Sequence, residues 1–261
     1  MISRTKRTLT LVAAAAFLFV TSVPLFASQT DNRIEKSAKK SYVFKTYLKS
    51  DGIKVKCENG IVTLSGTVRD ESHKSMAEET VRSLPGVTSV NNQISVTSPP
   101  GNANTDALIS ERVSTTLLFH RSVSFANTDV SVTDGKVTLR GRASSDAQKE
   151  LTTEYAKDVF GVKGVDNLMT VTAYPKTPHR TKAQKVDDAS ITTQAMMSLR
   201  YHHGADVFDT KISTHKGVVT LTGTAKNQAE IDLATKRVND IHGVKSVDNQ
   251  MTVEVLQSST N

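Results

Sequence analysis

The sequence is poor in features that carry covalent cross-links or reaction chemistry. A single cysteine, Cys57, stands among 261 residues, which excludes an internal disulfide and leaves folding to small hydrophobic cores. No nucleophile elbow, phosphate-binding loop or zinc-protease helix is present. Past the N-terminus no apolar run approaches the roughly 20 residues of a membrane-spanning helix, and the C-terminus lacks the aromatic-ended strand of an outer-membrane barrel. Charge of one sign is also scarce. The formal net charge is +7, and three of those charges, Arg4, Lys6 and Arg7, belong to a leader. The +4 that remains is well below that of a dedicated nucleic-acid binder, so no nucleic-acid partner is expected.

The leader is read from Arg4, Lys6 and Arg7 ahead of an apolar run from Leu9 to Val20, followed by Pro24 and Ala27. That order predicts a secretory signal peptide over residues 1–27, cleaved after Ala27. With no cysteine at the cleavage point, no lipid anchor is expected, and the mature chain is read as a soluble periplasmic protein.

What the sequence does contain is repetition. Residues 31–97, 106–172 and 188–254 align without gaps at offsets of 75 and 157, a period that points to tandem copies of one unit. The anchor is a Val-Thr-Leu-x-Gly segment. It places Val62, Leu64 and Gly66 in the first copy, Val137, Leu139 and Gly141 in the second, and Val219, Leu221 and Gly223 in the third. Before it lie Asn59-Gly60, Asp134-Gly135 and Lys216-Gly217, dipeptides suited to a tight hairpin turn. Upstream, Ile34, Ala38 and Tyr42, matched by Ile109, Val113 and Leu117 and by Ile191, Ala195 and Leu199, form a four-residue stripe on a helix.

Asp70, Ser145 and Asn227 stand where a second helix needs a cap, with Gln148 and Glu230 completing capping boxes. Gly86, Gly161 and Gly243 end that helix in left-handed conformation. A final alternating strand carries Val90, Ile94 and Val96 or their equivalents. The order helix, strand, strand, helix, strand predicts an α+β fold of three tandem domains, each with two helices on one face of a small three-stranded mixed sheet. The strand-helix-strand crossover sets the last strand parallel to the second. Residues 173–187, extended at about 3.3 Å each, could span roughly 50 Å, which makes the third domain the most independent.

These residues resemble the BON family of bacterial domains, whose pattern of Val-Thr-Leu-x-Gly, a helix, then Gly-Val-x-x-Val-x-Asn is met three times. The resemblance implies a non-catalytic periplasmic protein similar to the osmotically inducible type. The roles it implies are phospholipid contact, envelope integrity under stress and protein quality control.

Candidate sites are few. Cys57, on the inward face of the first strand, reads as a small buried hydrophobe. His202, His203 and His215 lack zinc-like spacing, so neither a metal nor a cofactor is expected. Ser, His and Asp occur, but nothing within a repeat brings them together. Charge is more informative. Residues 31–60 hold eight basic side chains against four acidic ones. Lys36, Lys39, Lys40, Lys45 and Lys49 interleave with Phe44 and Tyr47, the pattern of a weak, peripheral contact with anionic phospholipid. The alternative is a chaperone or scaffold for unfolded or outer-membrane proteins. The oligomeric state stays open at this stage.

Overall fold

A computed structural model describes residues 24–97, 105–172, 186–202 and 210–254. The expected leader lies outside these residues apart from its last four positions, as do most of the two connectors and His203. The first copy runs α1 (Pro24–Lys40), α2 (Tyr42–Thr46), β1 (Lys54–Glu58), β2 (Ile61–Val68), α3 (Glu71–Arg82) and β3 (Ser89–Val96). The second runs α4 (Asp106–Phe119), β4 (Thr128–Thr133), β5 (Lys136–Ala143), α5 (Asp146–Lys157), β6 (Gly164–Asn167) and β7 (Thr170–Val171). The third runs α6 (Asp188–Arg200), β8 (Lys211–His215), β9 (Val218–Thr222), β10 (Thr224–Ala225), α7 (Gln228–Asn239), β11 (Ser246–Asn249) and β12 (Thr252–Val253). In each copy the Val-Thr-Leu strand is central, antiparallel to the strand before it and parallel to the strand after α3, α5 or α7. Val62, Leu64, Val137, Leu139, Val219 and Leu221 are fully buried beneath the helices.

Local chemistry accounts for these elements. The caps Asp70, Ser145 and Asn227 accept from the amides of His73, Gln148 and Glu230. Gly86, Gly161 and Gly243 sit at φ of +94, +97 and +93°. At the hairpins, both turn residues have positive φ, including Asn59 at 52°, Asp134 at 55° and Lys216 at 51°. Asparagine and aspartate tolerate that conformation, whereas a lysine Cβ crowds the following carbonyl. Lys216→Asn is therefore expected to raise the stability of the third domain by about 1 kcal/mol, read as a higher urea midpoint at unchanged m-value.

Two side chains recur that bind elements together. Asp31, Asp106 and Asp188 each reach the hairpin turn and accept both of its amides, Asn59 and Gly60, Asp134 and Gly135, or Lys216 and Gly217, at 2.7–2.9 Å. Asn92, Asn167 and Asn249 accept from the amide two residues on, and their Nδ2 groups donate to the preceding helix. In the second and third copies the last strand breaks beyond this asparagine into two short pieces, β6 and β7 or β11 and β12. In the first copy β3 stays continuous over eight residues.

Two expectations need correction. The stripe of the first helix does not run on to Tyr42, because Ser41 caps a new helix by accepting from the Phe44 amide, which splits α1 from α2. Val43 is buried in its place, and Tyr42 is only half-buried. Nor is the third domain independent. Ten of the thirteen residues of α6 are buried, since the first domain packs on the side that its own sheet leaves uncovered. Ala189 and Met197 of α6, with Phe119 of the second domain, join the core of the first domain. The polar residues of α6 are bonded across this contact: Ser190 Oγ accepts from Val43 N, Thr193 Oγ1 meets Thr80 Oγ1, and Gln194 Oε1 accepts from Tyr47 OH.

The second and third domains meet reciprocally. The end of α4 bonds the turn after α7 (Arg121 N to Asp240 O, His242 N to Phe119 O), and the end of α6 bonds the turn after α5 (Phe160 N to Tyr201 O). Residues 82 apart thus exchange roles, as in a two-fold pair.

Candidate functional site

The basic segment of the first domain is shaped by what happens to its acids. Asp31 is drawn onto the hairpin turn, where the Gly60 amide and then the Cys57 thiol hold its carboxyl below the usual range. Glu35 accepts from the Cys57 amide at 3.0 Å, and Asp51 lies 2.6 Å from His73 Nδ1. Of the four acids only Glu58 is exposed. Lys36, Lys39, Lys40, Lys45, Lys49, Lys54 and Lys56 are all exposed, together with Arg33. Eight basic side chains thus reach solvent on the first domain, one of them, Lys39, paired with Glu35 at 3.7 Å.

The aromatic half of the expected site does not share that surface. Phe44 and Tyr47 are half-buried against the core of the first domain. Tyr47 packs edge-on to Tyr42 and tilted against Phe119, with ring centroids 5.5 and 5.6 Å away, and burial raises its phenol far above the ordinary range. Interleaving in sequence misled because the break at Ser41 rotates the chain after it. Cys57 is buried as expected, its Sγ donating to Asp31 Oδ1 at 3.2 Å. Burial, with that carboxylate beside it, pushes the thiol up to about 12.

An open groove of about 970 Å³ runs between α3 and α4, with Met76, Ile94, Leu108 and Phe125 among its apolar lining. Glu111 stands in it, accepting from Ser72 N at 2.7 Å. Burial, then the charge of Asp70, raises its carboxyl.

A second polar assembly sits at the joint of the second and third domains. His120 ends α4 with no exposed surface. Its ring stacks on Tyr155 at 3.9 Å, Nε2 lies 3.1 Å from Ser198 Oγ, and Nδ1 lies 3.5 Å from Asp240 Oδ2. Asp240 also accepts from Tyr155 OH at 2.7 Å and from Ser122 Oγ. Alongside, the guanidinium of Arg237, 2% exposed, pairs with Asp158. The arrangement Ser198–His120–Asp240 has the order of a nucleophilic triad. Ser198 and His120 are both completely buried, so no substrate carbonyl reaches the hydroxyl. What the repeat alone does not bring together, the packing of two repeats does, as a structural network.

His202, equivalent to His120, donates from Nδ1 to the Asp158 carbonyl at 3.1 Å. Among the described residues no group of three or more metal-ligating side chains converges, and no helix is long and apolar enough to cross a membrane.

Comparison with known proteins follows the repeat. The profile of the BON domain matches residues 30–98, 105–173 and 187–255. Osmotically-inducible protein Y of Escherichia coli K12 is 34% identical over 142 residues, covering 52% of this chain and 70% of that protein. Among solved structures, CdsD, a structural protein of the type III secretion system of Chlamydia trachomatis, aligns at 17% identity. The match covers 85% of this chain and 91% of that one, with a TM-score of 0.22. The C-terminal domain of CdsD aligns at 17% identity, over 82% and 96%, with a TM-score of 0.21. Superpositions that loose carry no argument.

Proposed function

Because the chain belongs to the BON domain family, with the domain present three times, we propose that it is a non-catalytic periplasmic protein. In this reading it makes peripheral contact with anionic phospholipid and supports the envelope under osmotic or related stress. The stress role follows from the likeness to osmotically-inducible protein Y. One observation carries the lipid reading: seven exposed lysines in the first domain, with Asp31 and Asp51 bonded inward and Glu35 shared between the Cys57 amide and Lys39. Each basic side chain near an anionic surface contributes on the order of 1 kcal/mol, screened by salt. The contact is therefore electrostatic, and no buried ring anchors it.

Co-sedimentation of the mature protein with vesicles tests this. Partitioning onto anionic vesicles at low salt should exceed that onto neutral vesicles. Lys36→Gln with Lys40→Gln, both on exposed positions, should lower it by about thirtyfold. Equal partitioning onto both vesicle types would remove the electrostatic contact.

A further inference from the structure

We propose that the joint between the second and third domains is an acid-sensitive latch, closed while His120 is neutral and loosened when it takes up a proton. Every element packed around the imidazole contributes a polar group, and all but α6 a charged or titratable one. After α4 come Arg121 and Ser122; α5 and its end supply Tyr155 and Asp158; α6 supplies Ser198; α7 and the following turn supply Arg237, Asp240 and His242. Arg121 and Arg237 balance Asp158 and Asp240 only if His120 carries no charge. A proton on His120 adds one uncompensated positive charge on a ring that itself has no water-facing surface, beside the buried Arg237.

Asp240 neutralises it only in part. Its nearer oxygen is 3.5 Å from Nδ1, at the outer limit of a hydrogen bond, and already accepts from Tyr155 OH. His120 Nδ1 has no hydrogen-bond partner. Burial is accordingly the leading influence on His120 and lowers its affinity for a proton, which Asp240 offsets only in part. His242, beside it, is lowered by burial as well.

The sign follows from linkage. An opened joint returns His120 to an ordinary value near ~6.5, so the open form binds more protons than the closed form below that pH. The closed state is favoured fully above about 6.5 and loses ground as pH falls toward the depressed value. Glu111, raised by burial, acts at the contact of the first and second domains and with opposite sign, so a change at His120 alone separates the two. The joint at this end is held by two backbone bonds, Arg121 N to Asp240 O and His242 N to Phe119 O, and by side-chain bonds from Arg121 to the Asn239 and Val244 carbonyls and from Ser122 and Tyr155 to Asp240.

Hydrogen exchange of the full mature chain at pH 7.5 and 5.0, corrected for intrinsic rates, reads the latch. Protection at residues 117–123 and 238–244 should fall by up to about thirtyfold at pH 5.0 in the wild type. The fall should be several-fold smaller in His120→Gln, which keeps a neutral polar side chain and leaves only the contribution of His242. Unchanged protection in the wild type, or an equal loss in the variant, overturns the proposal. If the variant fails to fold by circular dichroism, an NMR titration of His120 in the wild type decides. A midpoint below 6.5 supports the latch, and one at or above 6.5 overturns it.

Discussion

Gly141→Ala is expected to destabilise the second domain by about 4 kcal/mol or more, enough to leave it largely unfolded at 37 °C. Gly141 lies at φ +120°, a region that side chains rarely enter, and a Cβ built there collides with the Asn127 carbonyl oxygen and sits 3.0 Å from its carbon. Both atoms are backbone, immediately before β4, so the overlap is relieved only by pulling the start of β4 away from β5. Gly66 meets Gly52 in the same way at the same φ. Gly164 supplies the control, because a Cβ there finds nothing within 4 Å. Urea titration followed by circular dichroism should show a lost or early transition for the first variant and little change for Gly164→Ala. A Gly141→Ala protein within 1 kcal/mol of wild type would mean that the glycine is not required by this geometry.

Asp158→Ala is expected to cost about 3 kcal/mol, because it strands the Arg237 guanidinium, 2% exposed, without its partner. Arg237 also lies over the Tyr155 ring at 5.8 Å, which offsets only part of the charge, and its Nε has no hydrogen-bond partner. The penalty comes from the unpaired ion rather than from a lost attraction. Adding Arg237→Met, which fills the site with an apolar chain of similar length, should therefore recover most of the stability. A double variant no more stable than Asp158→Ala alone would place the cost elsewhere, for instance in the backbone contact between Asp158 and His202.

Within one copy the sequence was nearly transparent, and between copies it was opaque. Turn glycines, caps and alternating valines act on neighbours within about 30 residues, so spacing alone reveals them. The recurring aspartate at 31, 106 and 188 obeys the same offsets, but spacing alone does not reveal that it reaches the hairpin turn. The burial of Ser190, Thr193, Gln194 and Ser198 had no local signal. Polar side chains on a helix suggest water, and only the arrival of Tyr47, Thr80 and His120 from other copies supplies their partners. For the same reason the second connector misled: chain length between two units bounds their separation and says nothing of whether their surfaces fit. At the candidate lipid surface the lysines were readable, while the inward turn of Phe44 and Tyr47 depended on a helix break that a single serine sets.

The enclosure of α6 fixes an order of events during biosynthesis. A ribosome finishes the first two units before the segment that covers their open sides exists, so Phe119 and the outer side of α3 wait without a lid until the last third of the polypeptide arrives. Nascent chains halted after residue 172 should consequently be stickier, and more readily clipped by proteases, than the finished protein.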